Sequence, residues 1–250
     1  MPAMGFFSFL LKQDTKKEPP SPLKVDMHSH FLPGIDDGAE SMDESIRLLR
    51  TFEERGYEKI ITTPHIIQDL YQNSAETIFP VLERVRAELK KVGSALRIEA
   101  AAEYFIDDEF ISKLERNEPL LTIGEKYVLV ETGFINEPAY LREVLFKVRL
   151  KGYKPILAHP ERYLYMQTKP EKLEELFDSG VFLQINTMSL GGYYGKPAQK
   201  FAGMMIDKGF VHFLGSDCHR TKHLEHLQLA YKSKLYTKLR EQTLLNDTLL

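Results

Sequence analysis

Beyond residue 22 the chain alternates short apolar runs with longer stretches in which apolar residues recur every three or four positions. The runs fall at 23–28, 57–63, 96–103, 126–131, 153–158, 181–186 and 210–216. Each is rich in Val, Ile, Leu, Tyr or Phe, which predicts strands buried on both faces, as in a parallel sheet. The stretches between them read as helices with marked ends. Ser41-Met42-Asp43-Glu44 has the form of a capping box, Ile46, Leu49 and Phe52 supply the apolar stripe, and Gly56 the stop. Ile78, Leu82, Val85, Leu89 and Val92 form a second stripe, where Pro80 predicts a late start or a kink. Pro138, Pro170 and Pro197 fall in the expected first turns of further helices, and Gly152, Gly180 and Gly209 just past helix ends. Residues 107–117 read as a shorter helix.

Seven strands with six intervening helices, and a last helix from about His223, predict one α/β domain over residues 23–250. The expected architecture is a TIM-like (β/α)7 barrel, with an open doubly wound sheet as the alternative. No Gly/Ser linker, internal repeat or low-complexity segment divides it.

Composition alters this picture little. A chain of 250 residues, 43% hydrophobic and 28% charged, suits one large soluble domain. The net charge of −3, with Lys and Arg scattered, gives no basic stripe for a phosphate backbone, so no nucleic-acid partner is expected. The single cysteine, Cys218, permits no internal disulfide and agrees with a cytoplasmic location. Residues 1–22 read as a flexible extension ending in Pro19-Pro20-Ser21-Pro22. Its apolar stretch from Met4 to Leu11 is too short to span a bilayer and lacks a basic leader, although its Phe/Leu tip could touch a membrane surface or a partner.

In a parallel barrel the active site forms at the carboxyl ends of the strands. Strand one ends in His28 and His30, which share a face at i, i+2, with Asp37 on the loop that follows. Strand two ends at His65, strand three at Glu103, strand four at Glu131, strand five at His159, and strand seven in Asp217 and His219. Only strand six, ending near Asn186, offers no strong ligand. Taken singly, a His65 or a Glu103 would more often be a surface or capping residue. Six strand ends bearing such groups together point to a metal cluster. Five His, two Asp and two Glu exceed one tetrahedral site and suit two or three ions, with Mn²⁺, Fe and Zn²⁺ all compatible. Clustered cations favour hydrolysis, because they lower the pKa of water and hold both oxygens of an in-line displacement at phosphorus.

A phosphate would also need a bidentate cation. Arg162 is the best placed and Arg220 the second. Cys218 is no phosphatase nucleophile, since the position six residues on, where such enzymes carry a loop-closing arginine, is Leu224. His212 reads as a packed residue, and His223 and His226 as solvated or supporting groups.

These motifs resemble a known family. His28-x-His30, Asp36-Asp37-Gly38, Thr63-Pro64-His65, Glu103, Glu131, His159-Pro160-Glu161-Arg162 and Ser216-Asp217-x-His219 are similar to the polymerase-and-histidinol-phosphatase (PHP) superfamily. The segment from Asp26 through Asp36-Asp37-Gly38 to Glu44-Ser45 resembles its bacterial protein-tyrosine phosphatases of capsule and exopolysaccharide gene clusters. The resemblance implies a distorted seven-stranded barrel, up to three metals (commonly manganese) on the nine residues named, and phosphate binding by Arg162. It also implies phosphotyrosine hydrolysis on a bacterial tyrosine kinase that controls polysaccharide export. One departure stands out: the family's further arginine after Asp-x-His is not at its place, and Arg220 or Lys222 is the candidate to stand in. An aromatic wall for the substrate ring is expected from Tyr71, Tyr104-Phe105, Tyr193 and Tyr194. The competing readings are a phosphatase for a small phosphomonoester such as histidinol phosphate, a metal-dependent nuclease, and a metal-stabilised module that binds a kinase tail.

Overall fold

The computed structural model describes residues 23–250, so the N-terminal extension and its Phe/Leu tip lie outside the described residues. In chain order the elements are β1 (Val25–Asp26), α1 (Met42–Glu54), β2 (Lys59–Thr62), β3 (His65–Ile66), α2 (Ala75–Lys91), β4 (Arg97–Ala100), β5 (Glu103–Phe105) and α3 (Asp108–Glu115). There follow β6 (Tyr127–Glu131), α4 (Leu141–Leu150), β7 (Lys154–Ala158), α5 (Leu164–Thr168), α6 (Glu171–Asp178) and β8 (Phe182–Asn186). The chain closes with α7 (Thr187–Leu190), α8 (Gly195–Asp207), β9 (Phe213–Gly215), α9 (His223–Tyr231) and α10 (Lys234–Leu239). The strands pair only in parallel, in two ladders ordered β1-β2-β4 and β3-β5-β6-β7-β8-β9. Together they make a curled parallel sheet with helices packed against it, not an open doubly wound one.

Each predicted strand span contains a strand, but two spans are split. The run 57–63 becomes β2, and a separate β3 starts beyond Pro64. The run 96–103 becomes β4 and β5 with Ala101-Ala102 between them. Pro64 has no N–H to give a ladder. On the two sides of the break the chain changes partners: Thr63 N–H bonds Ser29 O at 2.7 Å, while Pro64 O accepts from Glu103 N–H at 3.1 Å. The break thus turns His65 and Glu103 out of one ladder and into the next, side by side in register.

The helices depart from expectation in informative ways. Ser41 caps α1 through its Oγ, but Glu44 does not close the box on Ser41; its carboxylate accepts from Glu40 N–H and from Thr221. Pro80 neither delays α2, which starts at Ala75, nor ends it; it lies in the second turn, where only the Glu76 carbonyl loses a partner. Pro138 precedes α4 by three residues instead of lying in its first turn, and Pro170 is the N-cap of α6. Pro197 does lie in the first turn of α8. The last helix begins at His223 as expected but stops at Tyr231, and α10 follows.

The first and last strands share no ladder. They meet through a parallel bridge, Ser29 to Cys218, through Asp217 N–H on His28 O at 2.8 Å, and through two buried polar residues. Asp26 accepts Ser216 N–H at 2.8 Å and Ser216 Oγ–H at 2.6 Å. Burial pushes its carboxyl up to about 6, against the opposing effect of those bonds. Asn246 accepts Leu214 N–H at 3.0 Å and donates to Val25 O at 3.1 Å and Leu214 O at 2.7 Å. Leu249 fills the same end of the core, beside Val25, Met27, Leu129, Ile156 and Phe213. With that end packed, the opposite end, where the strands terminate, is left to carry polar groups.

Candidate metal centre

Leu129 belongs to the core, and Glu131, two residues on, points from the same face of β6 into a cavity of about 650 Å³. The other strand ends converge on the same place. Glu103 is the hub: its carboxylate lies 3.1 Å from His28 Nε2, 3.4 Å from His30 Nε2, 3.2 Å from His65 Nδ1 and 3.0 Å from His159 Nε2. Glu131 adds a 2.9 Å contact to His65. Asp37 is 3.5 Å from both His65 and His219, and Asp217 Oδ1 is 3.5 Å from His28, His30 and His219. All nine residues picked out by their strand-end positions therefore meet. Seven of them fall into three overlapping sets with metal-binding spacing: His30, Asp37, His65 and His219; His28, His30 and Glu103; His65, Glu103 and Glu131. His159 and Asp217 join these sets through their contacts with Glu103, His28, His30 and His219.

Two of the nine, His159 (φ 34°) and Asp217 (φ 50°), take the left-handed backbone conformation. For a non-glycine residue this is costly and persists only where the surroundings enforce it. In both cases it turns the side chain off the strand line at the point where β7 and β9 end.

The imidazoles are aimed by partners that sequence patterning did not reveal. His28 Nδ1 donates to Gln184 Oε1 at 2.9 Å, an atom also faced by His159 N–H at 3.4 Å and hence an acceptor. His30 Nδ1 donates to Asp36 Oδ2 at 2.8 Å. Both rings thus carry their proton on Nδ1 when neutral, and their Nε2 lone pairs face each other at 3.3 Å with no hydrogen between. Only added positive charge, protons or a cation, resolves that meeting. The residues present therefore fit a cation.

Without a cation, protons fill the role. Burial would lower His28, but the charges of Glu103 and Asp217 prevail and raise it to about 9. His30 is likewise raised against burial, by Asp36 and Asp217. Glu103 and Asp217 are driven well below the usual carboxylate range: burial opposes this, and the His28 charge on both, with its neighbours, overcomes it. Cations that take these ligands must displace those protons.

Arg162 sits on a short 3-10 turn after β7, and its Nη1 donates to Asp217 Oδ2 at 2.9 Å. Asn186 Nδ2 bonds the same oxygen at 2.5 Å. Strand β8, which offers no strong ligand, thus contributes Gln184 and Asn186 as orienting groups. Glu161 is buried and accepts from Asn186 N–H and Ser189 Oγ–H. At the mouth Arg220 Nη2 donates to Asp37 O at 3.2 Å, and Lys222 lines the same rim.

The expected aromatic wall needs one correction. Phe105, Tyr71, Tyr193 and Tyr194 line the cavity. Tyr104 does not: alternation along β5 turns it away from Glu103, and its hydroxyl accepts Leu121 N–H at 2.8 Å. Phe134, which sequence reading missed, joins the lining. His212 is packed against Phe182 and Phe177. His223 supports the rim, accepting His219 N–H on Nδ1 at 3.2 Å, and the ring of His226 lies 4.4 Å from that of Tyr193. Cys218 is buried, and burial pushes its thiol well above its usual range, away from any nucleophilic role.

A curled parallel sheet whose strand ends bring imidazoles and carboxylates together in sets of metal-binding spacing defines an α/β protein of the metal-dependent hydrolase type. Comparison with known proteins is more specific. The chain belongs to the capsular polysaccharide synthesis family CpsB/CapC, which matches residues 24–245. It is 32% identical over 198 residues to tyrosine-protein phosphatase YwqE of Bacillus subtilis, covering 79% of this chain and 78% of that protein. To tyrosine-protein phosphatase CpsB of Streptococcus pneumoniae it is 29% identical over 200 residues, 78% of this chain and 82% of that one. Among solved structures it matches a chain from the crystal structures of those two proteins, described as unique metal-dependent tyrosine phosphatases. The TM-score is 0.76 at 30% identity, over 88% of this chain and 96% of that one. Histidinol phosphate phosphatase of Lactococcus lactis shares the fold at a TM-score of 0.51 and 17% identity, over 91% of this chain and 94% of that one.

Proposed function

We propose that this chain is a metal-dependent protein-tyrosine phosphatase, cytoplasmic, that hydrolyses phosphotyrosine on a bacterial tyrosine kinase governing capsule or exopolysaccharide synthesis. The meeting of nine ligand-type side chains, six of them on the wall of a cavity that Arg162 also lines, carries the reading, and membership of the CpsB/CapC family supports it. We read residues 23–250 as one domain and its curled sheet as a distorted seven-unit barrel, with each split strand counted once. No helix among the described residues is long and apolar enough to cross a membrane.

The residues that would hold two or three cations, with Mn²⁺ the first candidate, are His28, His30, Asp37, His65, Glu103, Glu131, His159, Asp217 and His219. When bound, such ions lower the pKa of water and neutralise charge building on the phosphoryl oxygens. The chain's own groups do the rest. Gln184 and Asp36 hold protons on the Nδ1 atoms of His28 and His30, so that each Nε2 faces inward. Arg162 and Asn186 occupy Asp217 Oδ2 and leave Oδ1 turned toward the imidazoles. The N–H groups of Arg162 not bound to Asp217 face the non-bridging oxygens of a phosphate, with Arg220 at the mouth as a second cation. Tyr71, whose ring stacks 5.7 Å from that of His65, and Phe105 offer apolar surface for a phenyl ring.

The test is hydrolysis of a phosphotyrosine peptide, a phosphoserine peptide, histidinol phosphate and single-stranded DNA by protein stripped with chelator and reloaded with Mn²⁺. The expected result is metal-restored activity on phosphotyrosine well above the others. Preference for histidinol phosphate, or DNA cleavage, would overturn the substrate class, and no turnover of any substrate would leave a binding module.

A further inference from the structure

Arg162 is held by more than its bond to Asp217. Its guanidinium carbon lies 4.4 Å from the centre of the Phe134 ring and 4.2 Å from that of Tyr194. The Tyr194 hydroxyl donates to Asp217 Oδ2 at 3.3 Å, the oxygen that Arg162 itself contacts at 2.9 Å. Cation, carboxylate and phenol thus close a triangle at the wall of the cavity, with a second ring beside the cation.

The two rings come from distant parts of the chain and are placed at some expense. Phe134 follows β6 and remains 41% exposed, so it is not there to fill a core. Its carbonyl accepts Leu164 N–H at 2.8 Å, which ties the segment down. Tyr194 lies in the turn between Gly192 (φ 83°) and Gly195 (φ 89°), left-handed positions that let the chain fold two tyrosines back over the rim. An aromatic face attracts a guanidinium more strongly where water is excluded, and a guanidinium locked in one orientation loses less freedom when it grips an anion.

We propose that Phe134 and Tyr194 are positioning residues that fix Arg162 for a phosphate: the two ring faces hold its plane, and the Tyr194 hydroxyl holds its carboxylate partner. The proposal deepens the phosphatase reading by assigning the oxyanion-gripping orientation to residues outside the metal rim. It rests on that reading for the class of ligand, but not for turnover. The rival role for Phe134 is direct contact with the aryl ring of the substrate.

Calorimetric binding of inorganic phosphate to the Mn²⁺-loaded protein, alongside p-nitrophenyl phosphate kinetics, separates these roles. Phe134→Leu and Tyr194→Leu should each weaken phosphate binding about tenfold and raise KM more than they lower kcat. Tyr194→Phe, which keeps the ring, should weaken phosphate binding by roughly threefold or less. In an Arg162→Ala background, Phe134→Leu should weaken phosphate binding no further, because the cation it orients is gone. Thermal melts check that each variant folds, and Tyr194→Phe keeps the test open if a leucine variant does not. The proposal is overturned if Phe134→Leu leaves phosphate affinity intact while raising KM for aryl phosphates, which would put the ring on the substrate. It is equally overturned if Phe134→Leu weakens phosphate binding as much without Arg162 as with it, or if the loaded wild type binds no phosphate. A wild type that binds phosphate with the expected pattern yet hydrolyses nothing supports the clamp and removes the phosphatase reading alone.

Discussion

The two ends of the curled sheet follow opposite rules. Toward the closed end Asn246 clasps β1 to β9 with its bonds to Leu214 and Val25 matched, and farther along the same seam Asp26 is matched by two donors from Ser216. At the open end like groups are pressed together. Two imidazole nitrogens meet at 3.3 Å, His159 Nδ1 and Glu161 Oε2 are buried without a hydrogen-bond partner, and two ligand-type residues have strained backbone. Buried polar groups are ordinarily satisfied, and departures concentrate where a site needs them. The closed end supplies stability that the open end can do without, so damage to the two should read out differently.

The largest contrast should come from Glu103→Gln, which removes the hub of the donor set. We expect a loss of kcat/KM on the order of a thousandfold, with metal content falling in elemental analysis. Denaturation of the metal-free protein should change little by comparison. A variant that kept both its metal and its turnover would show that Glu103 is not a ligand.

The pH response of the seam between β1 and β9 comes next. The carboxyl of Asp26 is near 6 in the folded chain against an ordinary 3.8. The folded state therefore holds this proton more tightly than the unfolded one. Its contribution is present below about pH 4 and is lost as pH rises through 6, by ~3 kcal/mol. Asp26→Asn does not titrate, so the unfolding free energy of the wild type relative to it should fall by about that amount between acidic and neutral buffer. A constant difference across this range would mean that Asp26 is not desolvated as described.

Asn246→Ala leaves Leu214 N–H and the Val25 carbonyl unmatched in the core. It should cost about 2–3 kcal/mol in chemical denaturation, while kcat per folded molecule stays near the wild-type value. The smallest effect belongs to the groups that aim the ligands. Gln184→Leu frees the ring of His28 and should weaken metal binding by roughly tenfold, as read in a metal titration. If Asn246→Ala damaged kcat and Gln184→Leu only stability, the contrast between the two ends would be reversed.

Much of this was legible in the chain. Parallel strands are buried on both faces, so their runs stand out, and a charged or imidazole side chain at the end of such a run is conspicuous. That is why the nine rim residues stand out in the sequence itself. Residues acting through neutral amides do not. Gln184 and Asn186 are weak as metal ligands and so do not mark strand six as part of a metal site, although two polar side chains at i, i+2 inside Phe182-Leu183-Gln184-Ile185-Asn186 mark an inward polar face. Tyr104 could have been set aside by the same alternation, since Glu103 beside it points inward. The split of the second and third strands had only Pro64 as a signal. Phe134 had none: it follows a strand by three residues, and nothing local says that it lies over an arginine.

The way β1 meets β9 carries a further consequence, for the order in which the molecule can come into being. His28 and His30 are among the first residues of the domain to be made, while Asp217, His219 and Asn246 are among the last. Contacts across some 190 positions close late and slowly. A nascent chain therefore holds an unfinished clasp, and catalysis becomes possible only after nearly the whole domain has left the ribosome.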